Sequence, residues 1–424
     1  NPPYIQLQKE INEETGEKLG DQYKALNFKC FARTGDIYCL FYEKGYELLH
    51  DGGVLSFITS NKWMRAGYGK AMRGFLAEHT NPLILIDFAG QKIFESATVD
   101  VNILMYGKEE NNHNTVACIA KEECRDNLSV FVMQNSSRMD FISSDSWTIL
   151  SQIEQTIKEK IESIGTPLRD WNISINYGIK TGLNDAFIIS GAKKDELISQ
   201  DPKSAEIIRP ILRGRDIKRY AFDFADLWLI NTHNGIKEEK IPAISIDDYP
   251  SIKVHLDQYY EKLATRADKG VTPYNLRNCA YMNDLSRQKI IWGEISDKPK
   301  FSIDINGKFC PEATTFLMTG DHLKYLLCFL NSTFSEYFFA KYGTTTGMGT
   351  LRWKKYLIEL LPVPAVSIEK EQELEILLDN LLNCNTDSEK NKYIYEINKT
   401  IYQYLKLSSD EISFIEEMVS KGAH

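Results

Sequence analysis

The chain is 424 residues long, with 43% hydrophobic and 11% aromatic residues and 50 Lys and Arg against 59 Asp and Glu, a net charge of −9. That much apolar sequence excludes a disordered chain and can fill two or three domain cores, while the acidic balance excludes a protein that coats nucleic acid through net charge. No run of 18 apolar residues and no basic-then-apolar leader occurs, and neither the eight cysteines nor the seven histidines show metal-ligand spacing, so we expect a cytoplasmic protein with reduced thiols, no membrane span and no metal site.

The chain opens on Asn1-Pro2-Pro3-Tyr4. These residue types suit holding an exocyclic amine while a methyl group is transferred to it. An aryl amine such as adenine N6 is a poor nucleophile because its lone pair is delocalised into the ring, so it needs hydrogen-bond acceptors more than a base. The Asn1 side-chain oxygen and the Pro2 carbonyl can each accept one N–H, and proline offers its carbonyl with φ fixed and no competing donor. Tyr4 would stack on a base rotated out of a duplex. A plain turn followed by an aromatic accounts for the four residues equally well.

Residues 40–49 then carry apolar side chains three and four apart, the pattern of an amphipathic helix, and Asp51-Gly52-Gly53 ends it in a turn. Residues 54–59 read as a buried strand, followed by Ser60-Asn61-Lys62-Trp63-Met64 and a helix to about residue 78; further strands are expected over 83–88 and 99–106. With Asn1-Pro2-Pro3-Tyr4 before it, this succession resembles the amino-methyltransferases, the DNA adenine-N6 enzymes above all, and implies the second half of a class I, Rossmann-like methyltransferase domain. The resemblance implies Asn1, Pro2 and Tyr4 as catalytic residues, Tyr106 and Lys108 as lining of the flipped-adenine pocket, and S-adenosyl-L-methionine as methyl donor. Tyr106 also reads as an ordinary strand-end aromatic.

In that family the glycine-rich donor loop and its acidic ribose ligand precede Asn-Pro-Pro-Tyr. We therefore expect the chain to be the C-terminal part of a longer enzyme, partnered by the donor-binding N-terminal part and inactive alone. Gly343-Thr344-Thr345-Thr346-Gly347-Met348-Gly349 lacks a flanking strand and helix and reads as a mobile loop, and Gly178-Ile179-Lys180-Thr181-Gly182 fails the spacing of a phosphate-binding loop.

A polar helix over 147–164 and Gly165-Thr166-Pro167 mark a domain boundary within 140–168. Residues 1–150, 151–364 and 365–424 carry net charges of −5, +2 and −6. The middle segment is the least acidic and gathers Arg209, Arg213, Arg215, Lys218 and Arg219 within eleven residues, dense enough for a local positive face. A solvated segment with ion pairs to Asp216 would use the same residues otherwise. The run 171–189, from Trp171-Asn172-Ile173-Ser174 to Ala186-Phe187-Ile188-Ile189, resembles the opening hairpin of a TaqI-like DNA specificity domain. Ile207-Ile208-Arg209-Pro210, Arg213-Gly214-Arg215-Asp216, Ile290-Ile291-Trp292-Gly293-Glu294-Ile295, Pro299-Lys300-Phe301, a helix over 321–342 and Leu360-Leu361-Pro362-Val363-Pro364 continue the likeness. Their order is that of target-recognition halves in type IIG restriction-modification enzymes. The resemblance implies double-stranded DNA as partner, with Lys180, Arg213, Arg215 and Lys218 as the candidate DNA contacts.

After Pro364 helices are expected over 369–382 and 394–407, and Ser408-Ser409-Asp410-Glu411 offers a capping box for a third. A helical hairpin completing the domain is the simpler reading; docking on the first half is the other. The expected fold class is α/β: an incomplete class I methyltransferase half over 1–150, a mixed α/β DNA target-recognition domain over 151–364 and a helical C-terminal region over 365–424. Site-specific DNA adenine-N6 methylation in a restriction-modification system is the function this implies. The alternatives are a DNA-binding specificity module with no chemistry of its own and a protein-glutamine methyltransferase, whose carboxamide nitrogen poses the same chemical problem. The large domain after Tyr106 argues against the last.

Overall fold

A computed structural model describes residues 2–89, 91, 93–94, 99–120, 127–237, 240–342, 344–345 and 351–422. The chain forms two compact units, Asn1–Lys158 and Glu159–His424, with the division inside the helix Gln152–Ile164 rather than at residue 150. No helix among the described residues is long and apolar enough to cross a membrane.

In the first unit, β1 (Val54–Ser60), β2 (Asn81–Asp87), β3 (Val101–Gly107), β4 (Thr115–Ile119) and β5 (Ser137–Met139) form one sheet of order β1-β3-β2-β4-β5. β3 is antiparallel to both neighbours, which leaves β1 and β2 parallel and joined through the helix Lys70–His79. The helix Tyr38–Leu48 buries Tyr38, Cys39, Leu40 and Tyr42 in a core shared with Trp63, Leu104 and Tyr106. Gly52 makes the expected turn at φ +75°, a conformation that costs a residue without Cβ little. The helix expected after Met64 begins only at Lys70, preceded by two 3-10 turns, Asn61–Met64 and Gly67–Gly69. Gly69 packs so close to Trp63 that a Cβ there would fall 2.0 Å from the Trp63 carbonyl oxygen. The carbonyls of Trp63 and Ala66 are instead taken by the Arg73 guanidinium.

In the second unit, β6 (Gly165–Pro167) pairs with the strand Pro362–Pro364. Between them lie β7 (Ile173–Tyr177), β8 (Ile188–Ser190), β9 (Ile208–Leu212), the ribbon of β10 (Ile217–Lys218) and β11 (Ala221–Phe222), β12 (Leu227–Ile230), β13 (Lys289–Gly293), β14 (Phe301–Asp304), β15 (Cys310–Pro311) and β16 (Thr315–Gly320). Two four-stranded sheets result, of orders β14-β13-β16-β7 and β15-β9-β12-β8.

Here the structure departs from the sequence in two places. Residues 171–189 are not a hairpin, because β7 and β8 belong to different sheets. The chain crosses over at Gly178, where a Cβ would lie 2.0 Å from the Glu312 carbonyl oxygen, so only glycine lets the backbones approach. Ile179 then bridges to Glu312, and Gly182 at φ +69° turns the chain into the short helix Asn184–Phe187. The single helix expected over 321–342 is two, Leu323–Leu330 and Thr333–Tyr342. Asn331 occupies the break because its carboxamide acts as a strand edge: Oδ1 accepts from the Phe301 N–H at 3.0 Å and Nδ2 donates to the Phe301 carbonyl at 2.9 Å.

The last three helices are Ile368–Leu382, Asp387–Tyr404 and Ser409–Ser420, the third with the expected reciprocal cap between Ser408 and Glu411. They belong to the second unit, held there by ion pairs such as Lys160–Glu411 at 2.6 Å and Lys324–Asp379 at 2.7 Å. Of the glycine cluster over 343–349, Gly343 and residues 346–349 lie outside the described residues.

Candidate functional site

Asn1 lies outside the described residues; Pro2 is buried, Pro3 exposed and Tyr4 half-buried. The segment after them is laid against the residues that precede the helix Tyr38–Leu48. The Ile5 N–H donates to Asp36 Oδ1 at 2.8 Å, the Ile37 N–H to the Ile5 carbonyl at 2.9 Å and the Leu7 N–H to the Gly35 carbonyl at 3.1 Å. Tyr4 is thereby set edge-on to Tyr38, with ring centroids 5.9 Å apart. Its hydroxyl is buried without a hydrogen bond among the described residues, and burial, with the Asp36 carboxylate adding to it, raises its pKa. One helical turn on, the Tyr42 hydroxyl meets Thr59 Oγ1 at 2.8 Å, and Thr59 Oγ1 and Trp63 Nε1 both donate to Asn102 Oδ1. These groups sit at the C-terminal end of β1. Next to it Asn61 Nδ2 donates to Asp87 Oδ1 at 2.8 Å, joining the C-terminal ends of β1 and β2. Open α/β sheets bind ligands outside the carboxyl ends of their parallel strands.

Tyr106 and Lys108 are at the other end. In the β1–β3 register Ser60 faces Val101 while Leu55 faces Tyr106, five positions and roughly 17 Å along the strand at about 3.4 Å per residue. Tyr106 is fully buried, and its hydroxyl donates to the Tyr42 carbonyl. Lys108 Nζ donates to the Leu49 carbonyl at 2.8 Å, closing the C-terminus of the helix Tyr38–Leu48, and lies over the Tyr46 ring. Tyr106 thus packs in the core of this unit, and Lys108 caps the helix Tyr38–Leu48.

A methyl donor needs a glycine-rich turn leading from a strand into a helix. Among the described residues, β1 leads into Asn61-Lys62-Trp63 and β2 into Phe88-Ala89, neither of which is such a turn.

In the second unit the predicted cations separate. Arg213 is committed to Asp216: Nε and Nη2 reach the two carboxylate oxygens at 2.9 and 2.8 Å, and the Arg213 N–H donates to the same group at 2.9 Å. Burial opposes ionisation of Asp216, but the contacts from Arg213 prevail and hold its pKa below the usual range. Arg213 is thus the cap of a 3-10 turn. Arg215 and Lys218, both exposed, line a cleft of about 430 Å³ together with Lys300, Glu294 and the glycines 214 and 293. Lys300 was not singled out from the sequence, since it is distant along the chain; the match of Pro299-Lys300-Phe301 was its only signal. Lys180 is exposed at a different place, beside a small cavity of about 30 Å³ lined also by His233, Arg277 and Cys279.

Residues 1–94 match the family described as Eco57I restriction-modification methylase, and residues 209–363 match the TaqI-like C-terminal specificity domain. The chain is thus similar to a methylase over its first segment and to a TaqI-like specificity domain over the second. The first match covers the Tyr4–Asp36 neighbourhood; the second covers Arg213, Arg215, Lys218 and Lys300. Over 98% of its length the chain is 22% identical to the type II methyltransferase M.BstVI of Geobacillus stearothermophilus and 24% identical to the type II restriction enzyme and methyltransferase RM.Eco57I of Escherichia coli. It spans 74% of the first relative and 44% of the second. Among solved structures, the type IIL restriction-modification enzyme MmeI in complex with DNA has the same fold over 99% of the chain, at a TM-score of 0.58 and 13% identity, the chain spanning 56% of that enzyme.

Proposed function

We propose that this chain is the amine-orienting and sequence-choosing portion of a site-specific DNA adenine-N6 methyltransferase in a cytoplasmic restriction-modification system. The methyl donor would be S-adenosyl-L-methionine, held by an N-terminal part of the enzyme outside these residues. The observation that carries the proposal is the joining, in one chain, of the sequence Asn1-Pro2-Pro3-Tyr4, followed by Ile5 bonded to Asp36, and a segment that matches a TaqI-like specificity domain. A protein-glutamine methyltransferase would have no use for that domain.

In this proposal the Asn1 side-chain oxygen and the Pro2 carbonyl each accept one N–H of adenine N6, turning its lone pair out of the ring plane. The face of Tyr4 supports the extruded base. Arg215, Lys218 and Lys300 contact DNA phosphates, and Lys180 is the remaining candidate for the DNA face. Arg213 supports the turn that presents Arg215.

The test uses the complete enzyme that contains this chain. Asn1→Ala should slow methyl transfer to adenine by about 100-fold or more, as loss of a preorganised acceptor does, while DNA binding persists. Tyr4→Ala should weaken retention of the extruded base by about 1–3 kcal/mol, read by a fluorescent adenine analogue. Tyr4→Phe should be nearly neutral, since the hydroxyl has no partner among the described residues. An undiminished rate for Asn1→Ala, or equal damage from Tyr4→Phe and Tyr4→Ala, would overturn the assignment.

A further inference from the structure

We propose that Asp36 is a positioning residue for the Asn-Pro-Pro-Tyr segment, tying the Ile5 amide to the first turn of the helix Tyr38–Leu48. This rests on the proposed role of that segment in orienting the amine.

Asp36 is 31 residues from Ile5, yet its Oδ1 accepts the Ile5 N–H at 2.8 Å. Burial raises the pKa of this carboxylate, and the amides of Ile5, Tyr38 and Ile37 and the nearby Lys62 offset that only in part. A carboxylate is well placed there, where the orphan amides and the dipole of a helix N-terminus both attract negative charge. Gln6 faces Asp36 in an antiparallel bridge, with the Ile37 N–H to Ile5 and Leu7 N–H to Gly35 bonds on either side. The side chain thus completes a short ladder at the one amide that ladder would leave open.

The consequence for chemistry follows from the covalent path. Ile5 directly follows Tyr4, and between its amide and the Pro2 carbonyl the φ of Pro3 is fixed by its ring and the peptide bonds are planar. Few soft torsions remain. An anchor at the Ile5 amide therefore sets both the direction of the Pro2 carbonyl and the plane of the Tyr4 ring. Asp36 touches no reacting atom; it acts through Ile5.

Two substitutions separate acceptor from charge. Asp36→Ala removes the acceptor. Asp36→Asn keeps an oxygen for the Ile5 N–H and removes the charge. Amide hydrogen exchange on this chain is the first readout, independent of any methyl transfer. Asp36→Ala should speed exchange of the Ile5 amide roughly 10-fold or more, with Leu104 in the sheet core unchanged, and Asp36→Asn should keep it near wild type. In the complete enzyme Asp36→Ala should lower kcat about 100-fold with KM for DNA little changed, as misplacement by about an ångström does, and Asp36→Asn should recover most of it. Unchanged Ile5 exchange in Asp36→Ala would overturn the proposal, whatever the activity. If the alanine variant does not fold, the asparagine variant decides alone, and loss of Ile5 protection in it would show that an oxygen acceptor is not what holds the segment. Absence of adenine methylation by the unsubstituted enzyme would instead refute the function proposed for the segment, leaving the anchor to stand or fall on exchange.

Discussion

Alanine at Arg213 and alanine at Arg215 should damage the protein in opposite ways, although the two residues are separated only by Gly214. Arg213 makes two charge-assisted bonds to Asp216, whose side chain is 6% exposed. Truncating it leaves a desolvated carboxylate with little beyond backbone amides. Stripping one partner from a buried ion pair costs about 3–5 kcal/mol. The Arg213 side chain is itself 23% exposed, so water can replace part of the loss, and about 2–3 kcal/mol is the figure to expect. Arg215 is exposed, and its guanidinium has no hydrogen bond or ion pair among the described residues, so its removal should change stability by no more than about 0.5 kcal/mol. Urea unfolding of the second unit measures the first effect as a shifted midpoint at constant slope. Fluorescence anisotropy on duplex DNA across a salt series measures the second: each phosphate contact contributes a slope of about 0.9 in log affinity against log salt, and Arg215→Ala should lose about that much. Arg213→Ala should keep the slope. A stable Arg213→Ala variant with a reduced salt slope would mean that the Asp216 pair opens to bind DNA, and the division of labour argued from the hydrogen bonds would be wrong.

Two further outcomes concern the same unit. Lys289 is fully buried and bonded to Asp304 at 2.7 Å and to the Leu285 carbonyl at 2.9 Å, so Lys289→Met should destabilise by about 3–5 kcal/mol in thermal or urea unfolding; a loss under about 1 kcal/mol would show the site relaxing to admit water. Burial holds the imidazoles of His233 and His255 below their ordinary pKa. The unfolded chain then binds the extra protons, so this contribution is whole above pH of about 6.5 and is lost as pH falls from there toward the folded values. Stability measured between pH 7 and 5 should decline less steeply in a His233→Gln, His255→Gln double variant, and an unchanged slope would remove the two histidines from the account.

What could be read along the chain was what is decided locally. The Gly52 turn, the strand at 54–59 and the Ser408–Glu411 cap depend on near neighbours, and each is where the pattern placed it. The Arg213–Asp216 pair is local too, three residues apart, and was visible as the competing use of the basic cluster. The burial of Tyr106 and the capping by Lys108 were not legible, because strand direction and register decide which end of β3 faces the start of the chain, and neither is written in residues 99–108. The split of residues 171–189 between two sheets follows from the pairing of β7 with β16 and β8 with β12, partners that lie far along the chain. The contact of Asp36 with Ile5 is of the same kind. An Asp just ahead of a helix is an ordinary sight, and only the fold reveals which amide it holds.

The strand pair that brackets residues 165–364 within the second unit has an implication for how that stretch can vary. Gly165 to Pro167 lies directly beside Pro364 to Pro362, so the chain leaves next to where it came in. Whatever is inserted, shortened or exchanged among the intervening loops, the distance between the flanking segments stays that of one hydrogen-bonded step, about 4.8 Å. Length changes are absorbed inside the loop that the pair closes, and closure entropy grows only slowly with loop length. The surface formed by those loops can therefore change in sequence and shape while the flanking segments are left undisturbed.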